Sequence, residues 1–225
     1  MYLQQRPTYQ QPGSGFGAVS TAGLLGAVLG ITGIGFAITA FFAYVGEVMN
    51  VPRGVGFIAM IVGFVLLFVM QAARRNQRTA LMLFYAFTAL WGIGLAPTIG
   101  AYVAALGPGV VVDAAGTTAL GMTCLGLVAY TFSFDWRRLS SIAFGALIAL
   151  VIIGLVSIFF HFIQPATYDW LVLGVFTLLT LVDFSRIRAG GSGLTAVDLA
   201  ISIYLDGINI FMALLELIGM RRSND

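Results

Sequence analysis

Seven long apolar runs, separated by short connections, decide most of what this sequence can become. They lie at about 20–45, 54–73, 80–104, 113–131, 140–162, 168–187 and 196–218. Each reaches the roughly 20 mostly apolar residues that carry a helix across a bilayer. In hydrocarbon every backbone N–H and C=O has to be paired inside the protein, so only helices and closed barrels cross. The runs are continuous and do not alternate with period two, which excludes a barrel. The expected fold is an all-α membrane protein: a single seven-transmembrane-helix bundle over residues 20–225, with no separate soluble domain.

Composition agrees. The chain is 60% hydrophobic and only 9% charged, against about 25% charged in a soluble domain. The net charge of +2 gives no reason to expect a nucleic-acid partner. All 11 basic residues are arginine. The absence of lysine rules out a retinal Schiff base and any lysine nucleophile. The one cysteine, Cys124, lies in an apolar run and is expected to be a small buried packing residue. Residues 1–19 are polar and rich in Gln, Pro and Gly, lack the basic start and apolar core of a secretory signal, and are expected to form a flexible tail.

Arginine placement orients the bundle. The second connection carries Arg74, Arg75 and Arg78, the fourth Arg137 and Arg138, and the sixth Arg186 and Arg188. The first has Arg53 offset by Glu47, and the third and fifth have none. The even connections and the N-terminus are therefore expected in the cytoplasm. Seven crossings put the C-terminus outside, whereas Arg221 and Arg222 favour the inside, so the sequence leaves open whether the last segment crosses fully. In the first run Gly23, Gly26, Gly30, Gly33, Ala37 and Ala40 recur at intervals of three and four, a pattern expected to bring a neighbouring helix close. Pro97 is expected to kink the third span, and Trp91 and Tyr102 to anchor at interfaces.

The last run, "SIYLDGINIFMALLELIG", carries the chemistry. Asp198, Ser202, Asp206, Asn209, Ala213 and Glu216 fall within roughly 80° of arc on a helix. A lipid-facing helix does not place its polar groups this way, so the segment is read as central or pore-lining. Ser202 and Asn209 read as hydrogen-bonding glue between helices, while Asp198 and Glu216 lie near the segment's ends and are expected to be hydrated. Asp206 sits at mid-span, where a carboxylate costs on the order of 2.5–3.5 kcal/mol, and asparagine would give similar glue without ionising. Its candidate partner is Asp183 in "LLTLVDFSRI". Arg186, three residues on, offers Asp183 a local ion pair; the alternative is a carboxylate pair across two helices, which titrates as a unit.

At these residues the chain resembles the Bax-inhibitor family. "SIYLDGINIFMALLELIG" is similar to the family's last segment, "LVDFSRI" to its sixth-span ending and "YTFSFDWRRLS" to its fourth connection. The resemblance implies a central C-terminal helix wrapped by six others and a pH-dependent calcium leak. It implies that an aspartate pair, here Asp183 and Asp206, senses protons and offers calcium a transient oxygen site. It also implies a latch arginine at the end of the second helix, for which Arg74 and Arg75 are the candidates. Protons and calcium are then the transported or transiently bound species, with no resident cofactor. Some bacterial members bind a membrane-anchored quality-control protease, so a non-conducting regulator is the alternative reading, with the 1–19 tail as a docking candidate.

Enzymatic readings are weaker. Intramembrane aspartyl proteases carry their second aspartate in Gly-x-Gly-Asp, whereas Ile203, Tyr204 and Leu205 precede Asp206 here. "GGSG" at 190–193 resembles a serine-protease motif, but the only histidine, His161, lies at the far end of the fifth span. No catalytic residue is expected.

Overall fold

The computed structural model describes residues 21–73, 76–133 and 135–224. These form seven helices: α1 (Thr21–Val48), α2 (Arg53–Ala73), α3 (Gln77–Leu106), α4 (Gly109–Thr131), α5 (Trp136–Phe160), α6 (Pro165–Arg188) and α7 (Ala196–Asn224). All seven are long and apolar enough to cross a membrane, and no strand occurs among the described residues. The expected all-helical, seven-span bundle is therefore the fold. α3 continues through Pro97.

The helices start and stop where local chemistry dictates. Asn76 accepts from the N–H groups of Arg78 and Thr79 at the start of α3, and Asp135 accepts from the Arg138 N–H at the start of α5. Pro165 opens α6, where its missing N–H costs nothing. At α7, Thr195 Oγ1 accepts from the Asp198 N–H at 3.2 Å, and the Asp198 carboxylate accepts from the Thr195 N–H at 3.1 Å. This reciprocal cap satisfies two of the orphan donors at the helix start. Asp198 therefore caps its helix and is only half-buried in the seam. Thr195→Ala is expected to lower stability by about 1 kcal/mol, read from the melting temperature in detergent.

The arginines of the sixth connection tie helices together. Arg188 donates to the carbonyls of Ala129 and Phe132 and to Ser133 Oγ, occupying the C-terminal end of α4. Arg186 donates to Ser140 Oγ on α5 at 2.7 Å and lies over the Trp136 ring.

α7 runs through the centre. Its main packing is on α1, α3, α4 and α6, while α2 packs on α3 and α5 on α6 from outside. No residue from Leu194 to Met220 is exposed. The fully buried Tyr204 stacks among Phe36, Phe84 and Phe87. Its hydroxyl lies 2.6 Å from Thr39 Oγ1, which reaches the Thr88 and Gly35 carbonyls at 3.0 and 3.1 Å. Large apolar side chains such as Phe57, Phe64, Phe68, Leu120, Phe144 and Leu155 point outward, as a lipid-facing surface requires.

Three expectations are corrected. The small-residue stripe of α1 does not pack: Gly23, Gly26, Gly30, Gly33, Ala37 and Ala40 are all exposed. The packed face is Val28, Thr32, Gly35, Thr39, Ala43 and Gly46, because the two threonines find hydrogen-bond partners there and Gly35 and Gly46 admit Phe84 and Ala96. Cys124 is exposed on the outer face of α4, where an apolar thiol is compatible with lipid. Trp91 and Tyr102 are half-buried in helix contacts, Trp91 against Phe87 and Gly63 and Tyr102 against Gly219.

The last segment is long enough to cross completely. α7 has 29 residues, about 43 Å at 1.5 Å per residue. Its end returns to the start of α4, where Arg222 pairs with Asp113. That ion pair gives Arg222 a partner at the end of the bundle opposite the arginine-rich connections.

Candidate functional site

α6 and α7 are successive antiparallel helices, so the C-terminal half of α6 lies beside the N-terminal half of α7. This apposition brings Asp183 and Asp206 together. Asp183 is 5% exposed and Asp206 4%, and each lies in the other's electrostatic field. Neither faces lipid. Gly207 makes the closure possible: a Cβ there would meet Phe36 Cζ at 2.6 Å and Met122 Sδ at 2.8 Å, so α1 and α4 close over α7 one residue from Asp206.

The two carboxylates differ in their partners. Asp183 Oδ1 accepts from Arg186 Nη1 at 3.0 Å, and the Ser202 hydroxyl also lies against it. The local ion pair with Arg186 is formed, and Asp206 lies in the electrostatic field of the same Asp183 carboxyl group. Asp206 has Thr180 of α6 beside it, but its Oδ2 is buried without a hydrogen-bond partner. A buried acceptor with no donor carries a desolvation cost. A proton or a cation would remove that cost. Asp206 thus belongs to a unit of two carboxyl groups and one guanidinium, linked through Arg186 to Ser140 and Trp136 on α5.

Arg74 and Arg75, the expected latch residues, lie outside the described residues. The Ser202 hydroxyl of α7 lies against Asp183 of α6. It also lines a cavity of about 240 Å³ with Leu67, Met70, Gln71, Ala80, Asp198 and Leu205, at the arginine-rich end of the bundle. Asn209 is not interhelical glue: its amide donates to the Leu205 carbonyl of its own helix at 2.7 Å. Glu216 is not a hydrated end residue, because α7 runs to Asn224 and places Glu216 beside Asp169 of α6, a buried residue the sequence did not single out. Ser192 lies in the turn before α7 and His161 at the C-terminal end of α5, so the two stand at opposite ends of the bundle. Among the described residues, no group of three or more His, Cys, Asp or Glu side chains converges as a resident metal site would require.

Residues 21–223 match the family model described as inhibitor of apoptosis-promoting Bax1. An uncharacterized membrane protein of Vibrio cholerae is 34% identical over 169 residues, covering 72% of both chains. A relative in Escherichia coli K12, named modulator of FtsH protease YccA, is 28% identical over 187 residues, 81% of this chain and 83% of its own. The corresponding protein of Escherichia coli O6:H1, with the same identity and coverage, is named inner membrane protein YccA. With a family match spanning all seven helices, the chain belongs to the Bax-inhibitor family of multi-pass membrane proteins.

Proposed function

We propose that this protein is a pH-sensitive calcium leak pathway gated where Asp183 and Asp206 meet, in a bacterial inner membrane with the N-terminus and the arginine-rich connections on the cytoplasmic side. The observation that carries the reading is Asp206: a carboxylate buried at mid-span, with one oxygen unpartnered, facing a second carboxylate on the neighbouring helix. A purely structural polar contact does not need that arrangement, since an asparagine would satisfy it without a charge.

The gate works through Arg186. The Asp183–Arg186 ion pair exists only while Asp183 is ionised, so it is present above the pH at which the pair takes up a proton and is lost as pH falls through it. Proton uptake releases Arg186, and with it the tether from α6 to Ser140 and Trp136 of α5. Acid therefore loosens the cage beside α7 and raises flux. Carboxylate oxygens are hard ligands suited to calcium. The four oxygens of two carboxylates are fewer than the six to eight a resident calcium ion takes, which suits a stopping point on a pathway. The cavity lined by Ser202 and Asp198 is the approach from the cytoplasmic end.

The test is calcium efflux from proteoliposomes of the purified full chain across pH. Protein-dependent efflux that rises with acidity supports the reading. Efflux equal to that of empty liposomes at every pH contradicts it.

The name of the Escherichia coli K12 relative favours a second reading, a regulator that binds a membrane-anchored protease. Capture of such a protease by the full chain, with loss of capture when residues 1–19 are removed, supports it. These residues lie outside those the structure describes. Neither reading assigns the chain a catalytic step.

A further inference from the structure

The α6–α7 interface holds a second pair of acids at its other end. Asp169 stands at the start of α6, four residues after Pro165, and Glu216 lies in the last third of α7. Along α6 the separation from Asp183 is 14 residues, about 21 Å. Asp169 is 4% exposed, and its Oδ2 is buried with no hydrogen-bond donor. The Asp169 and Glu216 carboxyl groups come within hydrogen-bonding reach of each other. Two ionised carboxylates have four acceptor oxygens and no donor.

Among the described residues, no compensating positive charge acts on the pair. Tyr102 of α3 and Tyr168 of α6 are the titratable side chains acting on the pair. Glycines let both rings in: Gly219 of α7 accepts the Tyr102 ring, and a Cβ at Gly154 of α5 would meet the Tyr168 hydroxyl at 2.5 Å. At the same end of the bundle Arg222 is engaged by Asp113 of α4, and Glu47 of α1 packs against Gly100 of α3. Among the described residues, neither Asp169 nor Glu216 makes an ion pair. The four carboxyl oxygens are fewer than the six to eight calcium takes, so the ligand that fits is smaller.

We propose that Asp169 and Glu216 form a second proton-binding site, which holds one proton between the two carboxyl groups at neutral pH and fastens the start of α6 to the end of α7. The shared proton gives Asp169 Oδ2 the partner it lacks. The sign of the effect is opposite to that at Asp183: the fastening is present while the proton is held and is lost as pH rises, when the buried Asp169 carboxylate and the half-buried Glu216 carboxylate repel across the interface. This site does not depend on the calcium reading, because it shares no residue with the Asp183–Asp206 pair.

The test is infrared spectroscopy of purified full-length protein in detergent, in a D183N/D206N background that removes the other pair. The expected result is a protonated-carboxyl carbonyl band at neutral pH that disappears on alkalinisation. Glu216→Gln and Asp169→Asn should each abolish it. Both replacements keep the side-chain shape and supply an amide donor, so both proteins should fold, which circular dichroism checks. Thermal unfolding gives a second readout: stability of the background protein should fall as pH rises, and Glu216→Gln should flatten that decline. Absence of the band at neutral pH, or a band unchanged in both variants, overturns the proposal.

Discussion

Arg186→Met is expected to cost about 3 kcal/mol of stability in detergent near neutral pH, read by chemical or thermal unfolding. Asp183 is buried, and Arg186 supplies it an ion pair at 3.0 Å. Removing one partner of a buried pair leaves the other charge uncompensated, which costs roughly 3–5 kcal/mol. The lower end is chosen because the Arg186 side chain is 25% exposed and water reaches it. Methionine retains much of the apolar stem packed near Trp136, so the loss reports on charge more than on packing. The second variant makes the argument specific: D183N/R186M should recover most of the lost stability, because the stranded charge is gone. If the double variant is as unstable as R186M, the guanidinium matters for its bonds to Ser140 and Trp136 and not for Asp183.

Gly92→Leu should destabilise the bundle by on the order of 3 kcal/mol, while Gly33→Leu should leave the melting temperature within a degree or two. A Cβ at Gly92 would sit 3.0 Å from Phe42 Cβ and 3.1 Å from the Ala43 nitrogen, and still closer to the Thr39 carbonyl. Two of those three atoms are backbone, which cannot rotate aside, so α1 and α3 would have to separate. At Gly33 an added Cβ meets nothing within 4 Å. The pair of variants tests which face of α1 is packed. A severe loss at Gly33 together with tolerance at Gly92 would place the contact on the stripe that the structure leaves exposed.

That stripe explains what the sequence could and could not reveal. The seven spans were legible because a run of about 20 apolar residues has one physical use, and the helices were found within a few residues of their limits. Which side of a span faces protein was less legible. In a bilayer an apolar residue gains little by leaving lipid for the protein interior, so hydrophobicity does not mark the inner face. Small residues on α1 suggested a packing face, yet the informative residues were Thr32 and Thr39, whose hydroxyls need acceptors. The polar arc of α7 correctly placed that helix in the middle. Its individual members were less readable. Asp198 carries a Thr-x-x-Asp cap signature in "TAVD" that identifies it without a structure. Asn209 could not be distinguished from an interhelical donor, because the choice depends on its rotamer. Glu216 looked terminal because apolar periodicity stops near residue 218, whereas the helix continues to Asn224. Asp169 carries no local signal: an acid in the second turn of a helix reads as solvated until the end of α7 is placed over it.

Under the proposed function, Asp183 and Asp206 together set the pH dependence of calcium movement. The most direct measurement is initial calcium efflux from proteoliposomes between acidic and alkaline pH, for wild type, Asp183→Asn and Asp206→Asn. The wild type should show efflux rising as pH falls. Asp183→Asn cannot form the ion pair with Arg186, so its efflux should be high and flat across the range. Asp206→Asn should also lose the steep pH response, because no second carboxylate remains to share the proton. Variants that both retain the wild-type pH curve would contradict the claim.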